Sequence, residues 1–590
     1  MKRLLGYLKN YRFRALLAPL FKMLEASFEL MVPLVMIKLI DIGITNKDKD
    51  FIFNCGIVLV ALTVVGYIAS ITAQFFAAKA AMQVGKELRR NLFRHINSLS
   101  YDNLDKAGTS SLITRMTSDV NHVVAGVNMF LRLFLRSPFI IFGAVVMAFT
   151  VDVKTSVVFL IVLPLLIGVV FAITFISIPM YKNVQNDLDN VTLLTRESLI
   201  GIRVIRAFNR QKIEEAEFDK SIDRLKTSQL RVGRLSALMN PITYMIINFG
   251  IAALIYFGAL RVDIGDMTQG QVVALVNYMS QVLVEVVKLA NLIILLTKAV
   301  ASTKRINDIF DMEPEIRFEN TEAGYSSVNT QEASGATRDS EAEIVFENVS
   351  LSYGGAKEHA ISDISFSARR GETIGIIGGT GSGKTTLVNI IPRFYEISSG
   401  SVKIDGKDIK QYSKEGLRSK VGIVPQSSVL FKGTIADNLR MADSNASDEM
   451  IEKALEISQS AEFVDQKTGR TAFTIEQGGK NLSGGQRQRL CIARALTRNP
   501  EILILDDSSS ALDFATESKL LRALRATGDE RITIIVSQRA SSIMHADKII
   551  VMDDGRAVAI GTHDELYDSC ELYREIYHTQ FKERGGKVYA

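Results

Sequence analysis

The sequence contains no tryptophan, few cysteines and little net charge. Its 590 residues include three cysteines, Cys55, Cys491 and Cys570, and no two of them form a C-x-x-C pair. That spacing argues against a disulfide framework and against a structural zinc site. Because tryptophan is absent, any aromatic belt at a membrane surface has to be built from tyrosine.

The charge balance argues against proteins that bind nucleic acid through bulk charge and against acidic disordered tails. There are 69 Lys and Arg residues against 64 Asp and Glu, a formal net charge of +5. So small an excess is not typical of proteins that bind nucleic acid mainly through bulk charge, or of acidic disordered tails. We therefore expect no nucleic-acid partner. The length is that of several domains, since one domain usually has roughly 100 to 200 residues.

Long apolar runs occur in the first half of the chain, and hydrophobic residues make up 47% of the whole. A helix needs about 20 apolar residues to cross a hydrocarbon core of about 30 Å. Residues 56–78 have almost no polar stripe, which argues against a soluble helical bundle. We predict six long transmembrane helices, in windows 16–40, 51–79, 130–150, 156–179, 242–260 and 271–300.

The distribution of Lys and Arg predicts the orientation. Segments 81–128 and 181–240 hold 17 of them, whereas the short connectors 41–50, 151–155 and 261–270 hold 4. Because positive loops stay inside, we expect a multi-pass protein of a plasma membrane with both termini in the cytoplasm. The two long segments have few Gly or Pro residues and are predicted to be cytoplasmic extensions of the helices.

The pattern changes after the last apolar window. Residues 313–343 lack apolar periodicity and are rich in Ser, Thr, Glu and Gly, which is typical of a mobile linker. Short β-branched runs then alternate with helical stretches, which predicts a mostly parallel α/β sheet. We therefore predict a membrane domain over 1–312, a linker over 313–343 and a cytoplasmic α/β domain over 344–590.

A phosphate-binding loop follows the strand TIGII. The run GGTGSGKT matches G-x-x-x-x-G-K-[ST] between a predicted strand and a predicted helix. Its backbone N–H groups form an anion cradle, Lys384 neutralises phosphate charge, and Thr385 is placed to hold Mg²⁺. The nucleotide-binding residues predicted here are Gly378, Gly379, Thr380, Gly381, Ser382, Gly383, Lys384, Thr385 and Thr386.

Two further motifs complete the predicted site. The apolar strand EILILDD ends in two acids, and Asp506 is placed to contact Mg²⁺ through its water shell. The run LSGGQRQR (482–489) forms a backbone nest for an anion, which need not belong to the same nucleotide. Its predicted binding residues are Leu482, Ser483, Gly484, Gly485 and Gln486.

Together, LSGGQ, the phosphate loop and LILDD resemble the ATP-binding cassette family, and the six apolar windows resemble a type I exporter half-transporter. The resemblance implies ATP and Mg²⁺ as cofactors, with Tyr353 stacking on adenine. It implies that Gln426 senses Mg²⁺ and contacts the membrane domain, so the metal set is Thr385, Gln426 and Asp506. It further implies a head-to-tail dimer in which one chain's phosphate loop and the other chain's LSGGQ share each ATP.

Two positions depart from the family's pattern, and both concern hydrolysis. The glutamate that usually follows the Walker B aspartate is Asp507 here, one methylene shorter. A displacement of the order of 1 Å at a reacting centre can cost about 10²-fold in rate. The family's switch histidine is replaced by Gln538, and glutamine cannot become cationic.

These departures favour the degenerate subunit of a heterodimeric exporter, with a homologous partner that has the intact glutamate and histidine. Its expected partners also include the lipid bilayer and a small amphipathic substrate. The alternatives are a slow homodimeric exporter of lipid or peptide, a nucleotide-gated module that does not transport, and an importer permease fusion. Drug, lipid and peptide substrates are not separated by the sequence.

Candidate coupling and substrate residues are identified by their position and charge rather than by a motif. By position, 114–123 and 196–218 resemble the two coupling helices of the family, with Arg206 and Phe208 as candidate contacts. Ionisable residues inside spans are functional candidates. Two interpretations of Glu25, Glu29, Glu285 and Lys288 stay open: they line a cavity that binds a cationic amphipath, or they pair within their own helices, as in Lys22–Glu25 and Glu285–Lys288.

Overall fold

The computed structural model describes residues 6–7, 11–313, 316, 343–355, 358–527, 531–581, 583–584 and 587–588. The predicted linker 313–343 therefore lies almost entirely outside the described residues. The described chain forms two compact units. The first comprises Met1–Asn97 with Thr109–Met312, and the second comprises Ser98–Gly108 with Glu313–Ala590.

The described residues of the first unit form helices joined by short turns. Two π-helical turns occur: Leu39–Ile44 extends the helix Arg12–Lys38, and Arg115–Asp119 joins Thr109–Thr114 directly to Val120–Leu133. Apolar residues from several helices, among them Phe159, Leu254 and Tyr278, form its core. The helices of this unit are α1 Arg12–Lys38, α2 Lys49–Ser98, α4 Thr109–Thr114, α5 Val120–Leu133, α6 Arg136–Val151, α7 Val153–Ile200, α8 Ile202–Ala207, α9 Gln211–Ala237, α10 Met239–Asp263 and α11 Gln269–Phe310. The helix α3, Tyr101–Ala107, belongs to the second unit.

Five of the helical stretches are long and apolar enough to cross a membrane: Lys49–Ser98, Thr109–Val151, Val153–Ile200, Gln211–Asp263 and Gln269–Phe310. The first predicted span lies on α1, which does not meet the same standard of length and composition. Its charged residues Lys22, Glu25 and Glu29 lower its apolar content. The long helices also run through 81–128 and 181–240 for most of their length, as predicted.

Side-chain caps at the short connectors fix where the helices begin. Asp152 accepts a hydrogen bond from the backbone N–H of Thr155 (2.7 Å) and caps α7. The same carboxylate pairs with Arg261 near the end of α10. Thr268 and Gln271 form a capping box at the start of α11. Each cap satisfies backbone donors that the first turn of a helix leaves unpaired.

The described strands of the second unit are β1 Glu343–Leu351, β2 Ile361–Arg369, β3 Thr373–Gly378, β4 Ser399–Ile404, β5 Lys407–Asp408, β6 Val421–Val424, β7 Gly433–Thr434, β8 Thr474–Ile475, β9 Ile502–Asp506, β10 Ile532–Val536, β11 Lys548–Asp553, β12 Arg556–Gly561, β13 Glu583–Arg584 and β14 Lys587–Val588. They include an antiparallel sheet of order β2-β1-β4-β5 and a six-stranded sheet of order β12-β11-β3-β10-β9-β6. The other helices of the second unit are α12 Lys384–Ile390, α13 Lys414–Lys420, α14 Ile435–Arg440, α15 Asp448–Ile457, α16 Ala461–Asp465, α17 Gly484–Thr497, α18 Phe514–Ala526, α19 Ala540–Ile543, α20 His563–Ser569 and α21 Glu571–Gln580.

The predicted parallel α/β sheet is confirmed. The five β-branched runs form β3, β6, β9, β10 and β11, which pair in parallel, and β12 adds an antiparallel edge. All five residues of β9 are buried, as the continuous apolar run of a strand covered on both faces requires. A helical first unit followed by an α/β unit is the predicted fold class.

The segment Ser98–Gly108 belongs to the second unit. Its helix α3 is capped by Ser100, and the Tyr101 ring lies 4.5 Å from the Phe394 ring. The Tyr395 hydroxyl donates to Asp105 at 2.9 Å. Residues 114–123 and 196–218, which resemble coupling helices by position, both lie in the first unit, and their role as coupling segments stays a prediction. A seven-residue helix has no periodicity strong enough to identify it from sequence.

One close approach limits the sequence at the end of β3. Gly378 pairs with Met552 of β11, and a Cβ added at Gly378 would lie 2.1 Å from the Met552 carbonyl oxygen. The next residue, Gly379, has open space at the same position. Only a residue without a side chain therefore fits where β3 passes into the loop, whereas its neighbour is not restricted by the protein around it.

We predict that Gly378→Ala lowers the thermal unfolding midpoint of the purified protein by roughly 2–10 °C, because overpacking costs about 1–3 kcal/mol. Gly379→Ala is the matched control and should change the midpoint by less than about 1 °C, since its Cβ meets nothing within 4 Å. Scanning calorimetry without added nucleotide checks both. Equal shifts for the two variants would contradict the close approach.

Candidate functional site

The ends of three neighbouring strands assemble one cavity in the second unit. Val536 of β10 is in register with Asp506 of β9 and with Ile376 of β3, so the residues that follow each strand emerge side by side. The cavity measures about 320 Å³. Its lining residues are Tyr353, Ala360, Thr380, Gly381, Gly383, Lys384, Thr385, Thr386, Gln426, Asp506, Asp507, Val536, Ser537 and Gln538.

The phosphate loop lies at one end of this cavity and leads into α12. Gly383 has φ of +92°, a left-handed conformation that glycine adopts without strain. Lys384 is largely buried, and its Nζ donates to the carbonyl oxygens of Gly378 (3.0 Å) and Gly379 (2.5 Å). Burial lowers the pKa of the Lys384 ammonium below its ordinary value. The loop thus holds a cation at the start of a helix, where anions bind.

The residues predicted to hold Mg²⁺ lie together and supply oxygen ligands. The Thr385 hydroxyl donates to the Asp506 carboxylate at 3.1 Å, and Gln426 lines the same cavity. Burial raises the pKa of Asp506, and the Asp507 carboxylate raises it further. Among the described residues no cluster of three His, Cys, Asp or Glu could hold a metal alone. This set fits Mg²⁺, which takes one or two protein ligands and completes its shell with phosphate and water oxygens.

Asp507 follows β9 directly and has an unusual backbone. Its φ is +48°, in the left-handed region that aspartate tolerates better than most residues. Its N–H donates to the Val536 carbonyl at 3.0 Å, and its carboxylate accepts from Gln426 at 3.4 Å. Burial raises the pKa of the Asp507 carboxyl. The residue is therefore fixed by its backbone, with its short side chain at the cavity.

Gln538 lines the same cavity, two residues past the end of β10. Its backbone carbonyl accepts a hydrogen bond from the Gln580 amide at 2.7 Å. The Gln580 side-chain oxygen also accepts from the Ala540 N–H at 2.8 Å. One glutamine of α21 thus holds the loop around Gln538 from both sides. Sequence analysis missed Gln580, because no local pattern connects residues 40 positions apart.

Tyr353 closes the other side of the cavity. Its hydroxyl donates to Thr386 at 2.8 Å, and its ring meets that of Tyr395 edge to face at 4.9 Å. Burial raises the pKa of the Tyr353 phenol. These contacts fix the ring next to the phosphate loop, where a planar base could stack on it.

The LSGGQ residues lie outside this cavity, within the part of the chain that the structure describes. Ser483 caps α17, and Ser483 and Gln486 form a reciprocal capping box. Leu482 is buried, whereas Ser483 and Gly484 are exposed. The result is an exposed N-terminus of a 14-residue helix, with its first backbone donors outside the cavity that contains the chain's own phosphate loop.

Gln488, on α17, connects the signature helix to the end of β9. Its side-chain nitrogen donates to the Asp507 carbonyl at 3.4 Å, and its side-chain oxygen accepts from the Ala511 N–H at 3.2 Å. The side chain is almost fully buried. The sequence offers a weak signal for this role, since Gln488 lies within LSGGQRQR, but that motif predicts only a backbone nest.

Comparison with protein families identifies both units. Residues 15–286 match the ABC transporter transmembrane region, and residues 361–510 match the ABC transporter family. Among curated relatives, YfiB of Bacillus subtilis, an ABC transporter ATP-binding protein, is 35% identical over 100% of both chains. An ABC transporter ATP-binding protein of Mycobacterium tuberculosis is 32% identical over 97% of both chains.

A more distant relative and a solved structure agree with this placement. The ATP-dependent lipid A-core flippase of Vibrio vulnificus is 29% identical over 99% of this chain and 98% of its own. The structure of a bacterial Atm1-family ABC exporter with ATP bound has a TM-score of 0.77, covers 98% of this chain and 99% of its own, and is 22% identical. At that identity the structure supports the fold alone. The chain belongs to the ABC transporter family, as an exporter half-transporter that joins a transmembrane region to an ATP-hydrolysing domain.

Proposed function

We propose that this chain is the degenerate subunit of a heterodimeric exporter. Its own phosphate loop binds ATP and Mg²⁺ but hydrolyses slowly, and its signature completes the faster site of a homologous partner. The observation that carries the proposal is the shared cavity, in which an intact set of binding residues surrounds two altered residues, Asp507 and Gln538.

Binding and hydrolysis depend on different parts of the cavity. The phosphate loop, Lys384 and Tyr353 can hold the nucleotide, and Thr385, Gln426 and Asp506 can hold Mg²⁺, so binding survives the changes. Activation of the attacking water depends on the position of a carboxylate. The backbone of Asp507 is fixed, so its shorter side chain cannot be advanced toward a γ-phosphate without moving β9.

Gln538 removes the second contribution to hydrolysis. A histidine at this strand end can carry a positive charge beside the γ-phosphate, and a glutamine amide stays neutral. The loop that carries Gln538 is nevertheless well fixed by Gln580, so the residue retains its position while its charge is lost. Such a site favours long ATP occupancy over turnover.

The signature is the intact part of the machinery. Ser483 caps the helix that begins at Gly484, and both residues are exposed, as a surface that receives another chain's nucleotide requires. A homodimer would place this signature against a second degenerate site. Pairing with a chain that has the glutamate and histidine gives one slow and one fast site.

The exported compounds are proposed to be small amphipathic molecules. The Vibrio relative's name, lipid A-core flippase, supports an amphipathic cargo at the level of chemistry. The bias of Lys and Arg toward 81–128 and 181–240 supports a plasma-membrane protein whose ATPase unit is cytoplasmic. The long apolar helices supply the membrane part.

We predict that the purified chain alone hydrolyses ATP well below the ordinary enzyme scale of about 1–10 s⁻¹. Co-expression with a partner that carries the glutamate and histidine should restore turnover. The double variant Asp507→Glu and Gln538→His, tested in the chain alone, should raise the rate by about 10–100-fold because it restores the base and the charge. Full turnover by the unaltered homodimer would reject the degenerate-site proposal.

We also predict that the site built on Lys384 keeps its ATP during turnover. Radiolabelled ATP bound to the complex should be recovered from this chain as ATP after the partner's site has completed many cycles. Photocrosslinking with an adenine-azide analogue identifies the chain that holds the label. Recovery of ADP alone from this chain would show that its site hydrolyses as fast as the other.

The two motifs of this chain should differ in importance. Lys384→Ala removes charge from the slow site, so complex turnover should fall only a few-fold. Ser483→Arg disturbs the donors that meet the partner's γ-phosphate and should cost about 10²–10³-fold. ATPase activity and export are measured with the partner unaltered.

Ser447→Arg is the matched control for the loss of a helix cap. Ser447 also caps an exposed helix, α15, by accepting from the Met450 N–H. If Ser447→Arg and Ser483→Arg lower activity equally, the effect comes from the cap rather than from the partner's nucleotide. Equal losses from Lys384→Ala and Ser483→Arg would favour two equivalent sites.

A further inference from the structure

A network of charged side chains crosses the first unit among three of its helices. Lys22, Glu25 and Glu29 lie on α1, Arg136 lies at the start of α6, and Glu285 with Lys288 lies on α11. Arg136 lies about 22 Å below the end of its helix at Val151, and Glu285 lies about 24 Å from the start of its helix at Gln269. Both distances along the helices are shorter than the roughly 30 Å thickness of a hydrocarbon core.

Arg136 is the centre of the network. Its Nη1 donates to Glu285 at 2.5 Å, and its Nη2 donates to Glu29 at 2.7 Å. Ser137 donates to the other oxygen of Glu285 at 2.8 Å. Both Arg136 and Glu285 have almost fully buried side chains, at 7% and 3% exposure. One guanidinium therefore connects three helices through two carboxylates.

The sequence suggested two ion pairs that each form within one helix, and the structure contains both. Lys22 donates to Glu25 at 2.5 Å, and Lys288 donates to Glu285 at 2.8 Å. Sequence analysis missed Arg136, although an arginine inside an apolar window is itself a signal of function. With Arg136 included, the ions joined by pairs are three cations and three carboxylates, so the paired charges balance. Arg132 is a further cation near Lys22, and it strengthens the penalty for adding positive charge here.

The network reaches solvent-accessible surface at two of its members. The Glu29 side chain is 40% exposed and the Lys288 side chain is 42% exposed. Charged groups at membrane depth face water or protein rather than lipid, because exposure to hydrocarbon costs several kcal/mol. One carboxylate and one ammonium are thus accessible from the first unit's surface, each already bound to a buried partner of opposite charge.

This arrangement discriminates among ligands by charge. A lone cation that pairs with Glu29 competes with Arg136 and leaves the balanced pairs with a surplus positive charge. A lone anion at Lys288 competes with Glu285 and leaves a surplus negative charge. An unpaired charge next to buried ions is strongly unfavourable. A ligand that carries both charges adds none, because it provides a cation for Glu29 and an anion for Lys288 together.

We propose that this network is a binding site for zwitterionic amphiphiles, molecules with an apolar tail and a head that carries one ammonium and one anionic group. The ammonium pairs with Glu29 and the anion with Lys288, while Arg136 and Glu285 remain paired with each other. The inference rests on the proposed function in so far as it makes this site a part of the export route.

The spacing of the two accessible groups sets the size of the head. Glu29 lies 2.7 Å from one end of the Arg136 guanidinium, and Glu285 lies 2.5 Å from its other end. Lys288 lies 2.8 Å from the same Glu285 oxygen. The two accessible charges are therefore at most about 10 Å apart, since the guanidinium is a small rigid plane. A phosphocholine head, with a short link between its charges, fits within that limit.

The network also retains hydrogen-bonding capacity. The Arg136 Nε is buried and has no acceptor among the described residues, and the Gln281 side-chain oxygen, one turn from Glu285, has no donor there. A buried polar atom without a partner costs about 1–3 kcal/mol. A polar head with both donors and acceptors, or water that accompanies it, can satisfy these atoms, whereas an apolar ligand cannot.

The test compares three amphiphiles with the same C12 tail: dodecylphosphocholine, dodecyltrimethylammonium and dodecyl phosphate. The assembled transporter in nanodiscs binds each radiolabelled probe below its micellar concentration, without nucleotide. We expect the unaltered protein to bind dodecylphosphocholine about 10-fold more tightly than either singly charged probe. A preference for the cation or the anion would overturn the proposal.

Two variants of accessible residues separate a binding role from a structural one. Glu29→Gln leaves surplus positive charge and should shift the preference toward dodecyl phosphate, whereas Lys288→Gln should shift it toward dodecyltrimethylammonium. If the network is purely structural, both variants should lower the affinity for all three probes equally, and that result would also overturn the proposal. Lys226→Gln is the matched control, since Lys226 forms an exposed pair with Asp223 and should leave the order unchanged.

ATP-driven uphill uptake of dodecylphosphocholine into inside-out vesicles, which is the direction of export because the ATPase unit faces the medium there, distinguishes the two proposals. Binding with the expected charge preference but without uphill export supports the site and rejects the exporter function. Export without the charge preference supports the exporter and rejects the site. Neither result depends on substitution of the buried Arg136, which could prevent folding.

Discussion

The close approach of two parallel strands is the constraint on which the nucleotide site depends. Gly378 of β3 passes the Met552 carbonyl of β11 with no room for a Cβ, and this contact sets where the phosphate loop leaves the sheet. On the other side of β3, the register of β10 and β9 brings Val536 beside Asp506. The phosphate loop, Asp506 and Gln538 are neighbours because the ends of their strands are neighbours.

The sequence predicted the parts of the fold that depend on local patterns. The β-branched runs of β3, β9 and β10 indicated a parallel sheet, and the motifs gave Lys384 and Asp506 as neighbours in one site. These predictions succeeded because a strand that is buried on both faces must be apolar, and because a phosphate loop needs glycine at fixed positions.

The remaining features depend on contacts between distant residues. Arg136 meets Glu285, 149 positions away, and Gln580 holds Gln538 from a position 42 residues further along the chain. Charge, length and hydropathy do not specify which ionised side chains meet, since that depends on helix rotation and tilt. The helix α3 escaped prediction for a different reason, because seven residues are too few for periodicity to show.

The architecture of the site makes loss of catalysis compatible with retention of the signature. Asp507 is held through its N–H to Val536 and its carbonyl to Gln488, and Gln538 is held through its carbonyl to Gln580. All three contacts use backbone atoms of the altered residues, so a change of either side chain leaves them in place. Gln488 lies on the signature helix, which therefore keeps its position against β9 whatever side chain residue 507 carries. Hydrolysis at one site can thus be lost by substitution while the surface offered to a second chain is preserved, because the chemistry resides in side chains and the scaffold in the backbone.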